Sequence, residues 1–300
     1  IRAHIRALEG TRHPVEAPAA LEMAADYIRD SLQSLGCEMT EHRFEDSGRE
    51  FRNIIATRRG ALYPDQRVIV LAHYDTVAES PGADDNASGV AVMLELATIL
   101  RPLQFERSVQ FIGVCLEENE SADDPHELGR RGSRALAAFA GENRWEIEGV
   151  LVLESVAYAG ESVIQTAPAG IPIKLPEQGN FIAVVGNEKS LGLIQGFARS
   201  IERYEIPLPH LSMAVPGLGE QLPDSRRSDH VSFWDEGYKA IMITDTTNFR
   251  SPHYHRPSDT LATLNLPFAA DVCRATGGMV MEAGGAFSKG EPKVFNANNC

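Results

Sequence analysis

No apolar run in this 300-residue chain approaches the roughly 20 residues of a membrane-spanning helix, so no membrane partner is expected. Cysteine is sparse. Cys37, Cys115, Cys273 and Cys300 are widely spread and form no pair motif, which excludes a cysteine-built zinc ribbon. Cys115 falls inside an apolar run and is expected as a reduced thiol acting as a small hydrophobe. One disulfide among the others stays open, and with it the compartment, cytoplasmic or exported. Basic residues are also few: 28 Lys and Arg against 42 Asp and Glu leave a net charge of −14, which argues against nucleic acid or an anionic membrane as partner. There is no glycine-rich phosphate loop. Ser88 and Ser133 lack a nucleophile-elbow context, so serine hydrolysis has little support. His126-Glu127 begins like the helical metalloprotease motif but lacks the second His, and it lies in a polar stretch. Neither a signal peptide nor an initiator Met is visible, as expected of a processed or trimmed chain.

With 43% hydrophobic residues the chain can bury one large core, and residues 1–300 are expected to form one soluble domain. Pro18 to Leu35 reads as an amphipathic helix with proline in its first turn and an end near Gly36. Residues 37–59 read as a strand pair, and further helices are expected at about 86–100, 130–140, 189–204 and 267–286. Between them lie short β-branched runs: Arg67–Ala72, Ser108–Leu116, Gly149–Leu153 and Lys239–Thr244. The alternation predicts a three-layer α/β fold: a mixed, mostly parallel sheet flanked by helices, with its site at the carboxyl ends of the central strands. Residues 119–131, 165–180 and 206–227 read as irregular binding loops.

Each of the four runs ends in metal-binding chemistry. The first reaches His73 and Asp75, two residues apart and so on one side of the strand. In that arrangement an imidazole can ligate through one nitrogen while the carboxylate holds the other. The second runs into Glu117-Glu118, the third ends in Glu154, and the fourth ends in Asp245 and leads to His253-Tyr254-His255 and Asp259. Asp84-Asp85 opens the helix that follows the first run. Two adjacent Asp cannot both cap it, which leaves one to bind something else. Asn86 and Asn119 head formal glycosylation sequons, but a glycan there would close the site.

These motifs resemble those of the co-catalytic zinc aminopeptidase family of clan MH, the group that includes bacterial leucyl aminopeptidases, glutamate carboxypeptidase II and the glutaminyl cyclases. The resemblance rests on His73-x-Asp75, Pro81-Gly82-Ala83-Asp84-Asp85-x-Ala87-Ser88-Gly89, Glu117-Glu118, Glu154, Ser228-Asp229-His230 and Tyr254-His255-x-x-x-Asp259-Thr260, and it spans roughly residues 65–265. It implies that His73 and Glu154 hold one zinc, Glu118 and His255 the other, and that Asp85 bridges them. Asp75 becomes the partner of His73 and Glu117 the general base. Tyr254 corresponds to a phenol that in some relatives donates to the oxyanion, with ordinary packing as the alternative. Glu154 departs from the more usual Asp, which leaves one zinc or two open, although His73 argues for two. The implied activity is an exopeptidase, first an aminopeptidase acting on a peptide or small amide with a free N-terminus. Glu118 and Glu154 could receive its α-ammonium. A glutamate-type carboxypeptidase would need a cation in the pocket, for which Arg226, Arg227, Arg250 and Arg256 are candidates. A glutaminyl cyclase or a non-catalytic binding relative are the remaining alternatives. The oligomeric state is not legible.

Overall fold

A computed structural model describes residues 1–119, 129–171 and 174–288. Two helices open the chain, α1 (Arg2–Leu8) and α2 (Pro18–Ser34), and the hairpin β1 (Glu38–Asp46) and β2 (Arg49–Arg58) follows. The middle of the chain then alternates: β3 (Tyr63–His73), α3 (Gly89–Ile99), β4 (Leu103–Phe105), β5 (Arg107–Val114), α4 (Arg131–Glu142), β6 (Glu146–Glu154), β7 (Ile182–Asn187) and α5 (Leu191–Arg203). It closes with β8 (His210–Val215), α6 (His230–Asp235), β9 (Ala240–Thr244), α7 (Leu266–Gly284) and β10 (Ala286–Ser288), which pairs with β4 in a separate two-stranded ribbon.

The main sheet has eight strands in the order β1-β2-β5-β3-β6-β9-β7-β8. Its centre, β5-β3-β6-β9, is parallel. The β1-β2 hairpin joins one side antiparallel to β5. On the other side β7 runs antiparallel to β9 but parallel to β8. Successive central-strand residues enter opposite cores, as a pleat requires. Val70, Ala72, Leu151, Leu153, Ile241 and Ile243 pack toward α2, α3, α5 and α7. Ile69, Leu71, Val150, Val152, Ala240 and Met242 pack toward α4 and α6. Both faces are therefore covered, which explains why these strands are continuous apolar runs rather than alternating ones.

Most expected elements are present within a few residues of their predicted limits. Gly36 adopts φ +83° just past the end of α2, the left-handed position that ends a helix without steric cost. One expectation is corrected. Residues 206–227 are not wholly irregular, since His210–Val215 forms the edge strand β8. The hydroxyl of Ser88 is a structural donor to the Asp84 carbonyl at 2.8 Å, and that of Ser133 shares a 2.9 Å hydrogen bond with Ser232, so neither is placed as a nucleophile. The His126-Glu127 motif lies outside the described residues. No helix among the described residues is long and apolar enough to cross a membrane.

His230, part of the Ser-Asp-His motif, belongs to the core. Its ring stands edge-on to Trp234 at 4.5 Å, and Nε2–H donates to the Ser225 carbonyl at 2.9 Å. Burial pushes its pKa down to about 3. An unfolded His takes up a proton near pH 6.5, so between roughly pH 6.5 and 3 the unfolded chain binds a proton that the native chain does not. Stability tied to His230 is present above that window and is lost as pH falls through it. His230→Gln should lower the melting temperature at pH 7, and the gap to wild type should narrow by pH 4.5. A gap independent of pH in thermal denaturation would show that His230 is not buried as a neutral ring.

Candidate active site

The strand ends and the loops leaving them bring five donors together. His73 Nε2 lies 3.3 Å from Asp85 Oδ1 and 3.4 Å from Glu154 Oε1. His255 Nε2 lies 3.2 Å from Asp85 Oδ2 and 3.0 Å from Glu118 Oε1. Each oxygen of Asp85 thus faces a different imidazole, and two donor groups, His73-Asp85-Glu154 and Asp85-Glu118-His255, share one carboxylate. These are the five residues that the family resemblance implied as ligands, and the structure brings them together. The neighbouring His253 is in neither group and meets Ser258 Oγ at 2.9 Å and the ring of Tyr158.

Backbone geometry aims these side chains. Leu116, just before Glu117, Ser155, just after Glu154, and His255 itself all have φ between +46° and +57°. Such left-handed non-glycine residues cluster at functional sites, where surrounding structure over-determines them. The loop from 81 to 89 is held equally tightly. Asn86 donates to the Leu153 carbonyl at 2.8 Å and accepts from Gly89 and Ser155 amides, so it is a buried clamp and not a glycan acceptor. Gly89 is required there: a Cβ would sit 2.4 Å from Asn86 Oδ1 and 2.7 Å from the Leu153 carbonyl.

A second layer fixes the donors. The Asp75 carboxylate lies 3.5 Å from His73 Nδ1 and accepts the backbone amides of Glu117 and Glu118 at 3.2 and 3.0 Å. One side chain therefore orients an imidazole and the paired glutamates. Asp259 does the same for the bridging residue, accepting the amides of Asp84 and Asp85 at 2.9 and 3.1 Å. Ser228 donates to Glu154 Oε2 at 2.6 Å. Asp259 and Ser228 stood in the sequence motifs without a role. Asp245, expected at the rim with the others, belongs to neither donor group and accepts the amides of Tyr158 and Thr247. Arg12 gave no sequence signal at all. Fully buried, it donates to the carbonyls of Leu8, Gly10, Tyr74, Pro81 and Gly82, and burial lowers its pKa to about 10. It ties the N-terminal segment to both loops that carry Asp75 and Asp85.

The electrostatics show what the cluster is built for. Burial pushes Glu117 well above the usual carboxylate range, and it pushes Glu118 up to about 7 against the pull of His255. Against burial, which disfavours their charged forms, Glu154 raises His73 well above the ordinary imidazole value and Glu118 raises His255 to about 10. Carboxylates this close need positive charge, and in its absence the imidazoles supply it as protons. Yet Asp85 Oδ1 and His255 Nε2, both turned into the cluster, are buried without hydrogen-bond partners. Nitrogen and oxygen ligands at about 2.0–2.2 Å around a tetrahedral centre lie roughly 3.3 Å apart, which matches the 3.0–3.4 Å separations seen here. The residues fit two divalent cations.

A cavity of about 520 Å³ opens over the cluster. Glu117, Glu118 and Tyr254 line it near the donors, and Phe181, Val185, Leu211, Met213 and Met242 form an apolar wall on the β7-β8-β9 side. Tyr254 stacks on His255, with ring centroids 3.7 Å apart, and its oxygen accepts a hydrogen bond from Arg227 at 3.2 Å.

Fold and site together define an α/β protein whose carboxyl rim is built to hold divalent cations between helix-covered strands. The chain belongs to peptidase family M28, whose pattern it matches over residues 53–277. It is similar to the uncharacterized protein YfbL of Escherichia coli strain K12, 32% identical over 281 residues covering 89% of this chain and 83% of that one. Aminopeptidase YwaD of Bacillus subtilis strain 168 is 44% identical over 87 residues, 28% of this chain and only 19% of YwaD. Among solved structures, LapB from Legionella pneumophila superposes with a TM-score of 0.72 at 20% identity, covering 95% of this chain and 72% of LapB. Macrostomum lignano glutaminyl cyclase gives 0.73 at 19% identity, over 94% of this chain and 89% of that one. At these identities the two structures establish the shared fold.

If Asp75 orients His73 and the glutamates, Asp75→Asn should weaken zinc binding about 10- to 100-fold, and Ser228→Ala should weaken it by less. Competition with a chromophoric chelator measures both. An unchanged affinity for Asp75→Asn would contradict the orienting role.

Proposed function

We propose that this chain is a two-zinc aminopeptidase that removes the N-terminal residue of peptides, with His73, Asp85 and Glu154 holding one ion and Asp85, Glu118 and His255 the other. The observation that carries this reading is the pair of donor groups sharing Asp85, with a further buried carboxylate, Glu117, beside them but in neither group. YwaD's name as an aminopeptidase supports it. When bound, the ions would polarise the scissile carbonyl and lower the pKa of water.

The remaining work falls to the protein's own groups. Glu117, adjacent in sequence to a ligand and raised in pKa by burial, is matched to take a proton from the attacking water and hand it to the leaving amine nitrogen. Asp75 holds the Glu117 amide and so the aim of that carboxylate. Arg227 donates to the Tyr254 oxygen, which leaves the phenol hydrogen free to donate to the developing oxyanion. Of the two glutamates considered for the substrate α-ammonium, Glu154 has Oε2 committed to Ser228, so the task falls to Glu118. The apolar wall of Phe181, Val185, Leu211, Met213 and Met242 favours an apolar side chain on the residue removed.

Incubation with a pool of unblocked, N-acetylated and N-terminal-glutamine peptides, with and without chelator, tests this by mass spectrometry. Single N-terminal losses from unblocked peptides only, stopped by the chelator, are expected. Cyclised glutamine or C-terminal losses without N-terminal trimming would overturn it. Glu117→Gln should lose about 10²- to 10⁴-fold in kcat while elemental analysis still finds the metal. Full activity in that variant would remove Glu117 as the base.

A further inference from the structure

We propose that Arg227 forms an anion subsite in the cavity that takes a carboxylate of the substrate, so that the enzyme favours peptides carrying a free carboxylate close to the scissile bond. This rests on the peptidase reading above and narrows its substrate class. Four arginines near the motifs are candidates for such a role, and the structure separates them. Arg226 is engaged twice by Asp235, at 2.9 and 3.1 Å. Arg250 is buried against the Phe181 carbonyl and Gln165, and Arg256 is exposed outside the cavity wall. Arg227 alone among them lines the cavity, and it is the one lysine or arginine among the described lining residues.

Its direct hydrogen-bond partners are neutral, and the carboxylates of Asp224 and Glu117 act on it only through space. Nη1 donates to the Asn248 side-chain oxygen at 3.0 Å and Nη2 to the Tyr254 oxygen at 3.2 Å, both neutral acceptors. The one carboxylate partner, Asp224, stands 3.6 Å away and is itself one-third exposed. That is too long for a charge-assisted hydrogen bond. Yet the Arg227 side chain is only 20% exposed. A largely desolvated guanidinium held by neutral partners, presenting a planar fork of five donors, is suited to a carboxylate arriving from the cavity.

The location matches a substrate. Arg227 contacts the phenol that stacks on His255, so the guanidinium stands one stacked ring pair from the donor groups. With the scissile carbonyl at the donors, one or two residues, at about 3.3–3.6 Å each, bridge that gap. Two sources supply the same chemistry: the C-terminal carboxylate of a dipeptide, or an acidic side chain on the residue that follows the scissile bond.

Paired substrates distinguish them. Leucyl-leucine against its C-terminal amide reads the first source, and leucyl-glutamic acid α-amide against leucyl-glutamine α-amide reads the second. In wild type the carboxylate member of at least one pair should lead in kcat/KM by about tenfold or more. Arg227→Met should bring that ratio to about one, and Arg227→Lys should keep part of it. Because each ratio is taken within one variant, a general loss of activity does not disturb it. The same pairs titrated calorimetrically into zinc-loaded Glu117→Gln protein, with and without Arg227→Met, give the ratio without turnover. Ratios near one in both pairs, or a preference that survives Arg227→Met, would overturn the subsite. If no peptide is cleaved, the peptidase reading fails, while the calorimetric ratios still decide the subsite.

Discussion

Three carboxylates, Asp85, Glu118 and Glu154, meet two imidazoles at the end of an apolar sheet, all but His255 almost wholly out of water. Burying charge at that density costs more than any nearby hydrogen bond returns unless positive charge enters with it. Much else about the carboxyl rim answers that constraint. The donor separations suit two divalent cations, and the partnerless atoms of Asp85 and His255 point the same way. Arg12 places a buried guanidinium beneath the loops without touching a ligand carboxylate. It adds positive potential to the site but leaves every donor oxygen available.

A cluster of this kind is useful only if it is rigid, and the protein fixes it mostly through backbone. Asp75 and Asp259 each accept two consecutive amides, gripping the chain at Glu117-Glu118 and at Asp84-Asp85. Since adjacent side chains leave an extended chain in different directions, holding both amides places Glu118 in a donor group while Glu117 stays outside both. The left-handed turns at Leu116, Ser155 and His255 are the conformational cost of that aim. Asn86 and Gly89 lock the intervening loop against the end of β6 so closely that no larger residue fits at 89.

The cavity joins two environments. Close to the donors it is ionic. Toward β7, β8 and β9 it is walled by side chains of the same face that packs against α6, so a substrate side chain enters what is in effect an extension of the hydrophobic core. Arg227 sits at the boundary between the two, held through Tyr254 to the metal-binding side. Chemistry and selectivity are thereby built on different strands of one sheet.

How far the sequence alone carried this follows from range. Strand and helix identity was legible because it is local: unbroken β-branched runs mark strands covered on both faces, and Pro18 and Gly36 bracket a helix. The donors were legible because each stands at the end of such a run or in the loop that leaves it, in motifs whose order resembles one family. The short edge strand β8 was missed because its pattern of half-buried residues carries no strong period, and the prolines around it read as loop. Which carboxylates close the cluster was not local at all. Asp245 ends its strand just as Glu154 does, and only the tertiary structure turned one inward and the other toward the amides of Tyr158 and Thr247. The sequence by itself determined the covered sheet and the inventory of donors. The tertiary structure decided their pairing, Asp85 between two imidazoles 182 positions apart, the grip of Asp75, Asp259 and Arg12, and the choice of Arg227 among four arginines, because those depend on distances across strands that no sequence spacing encodes.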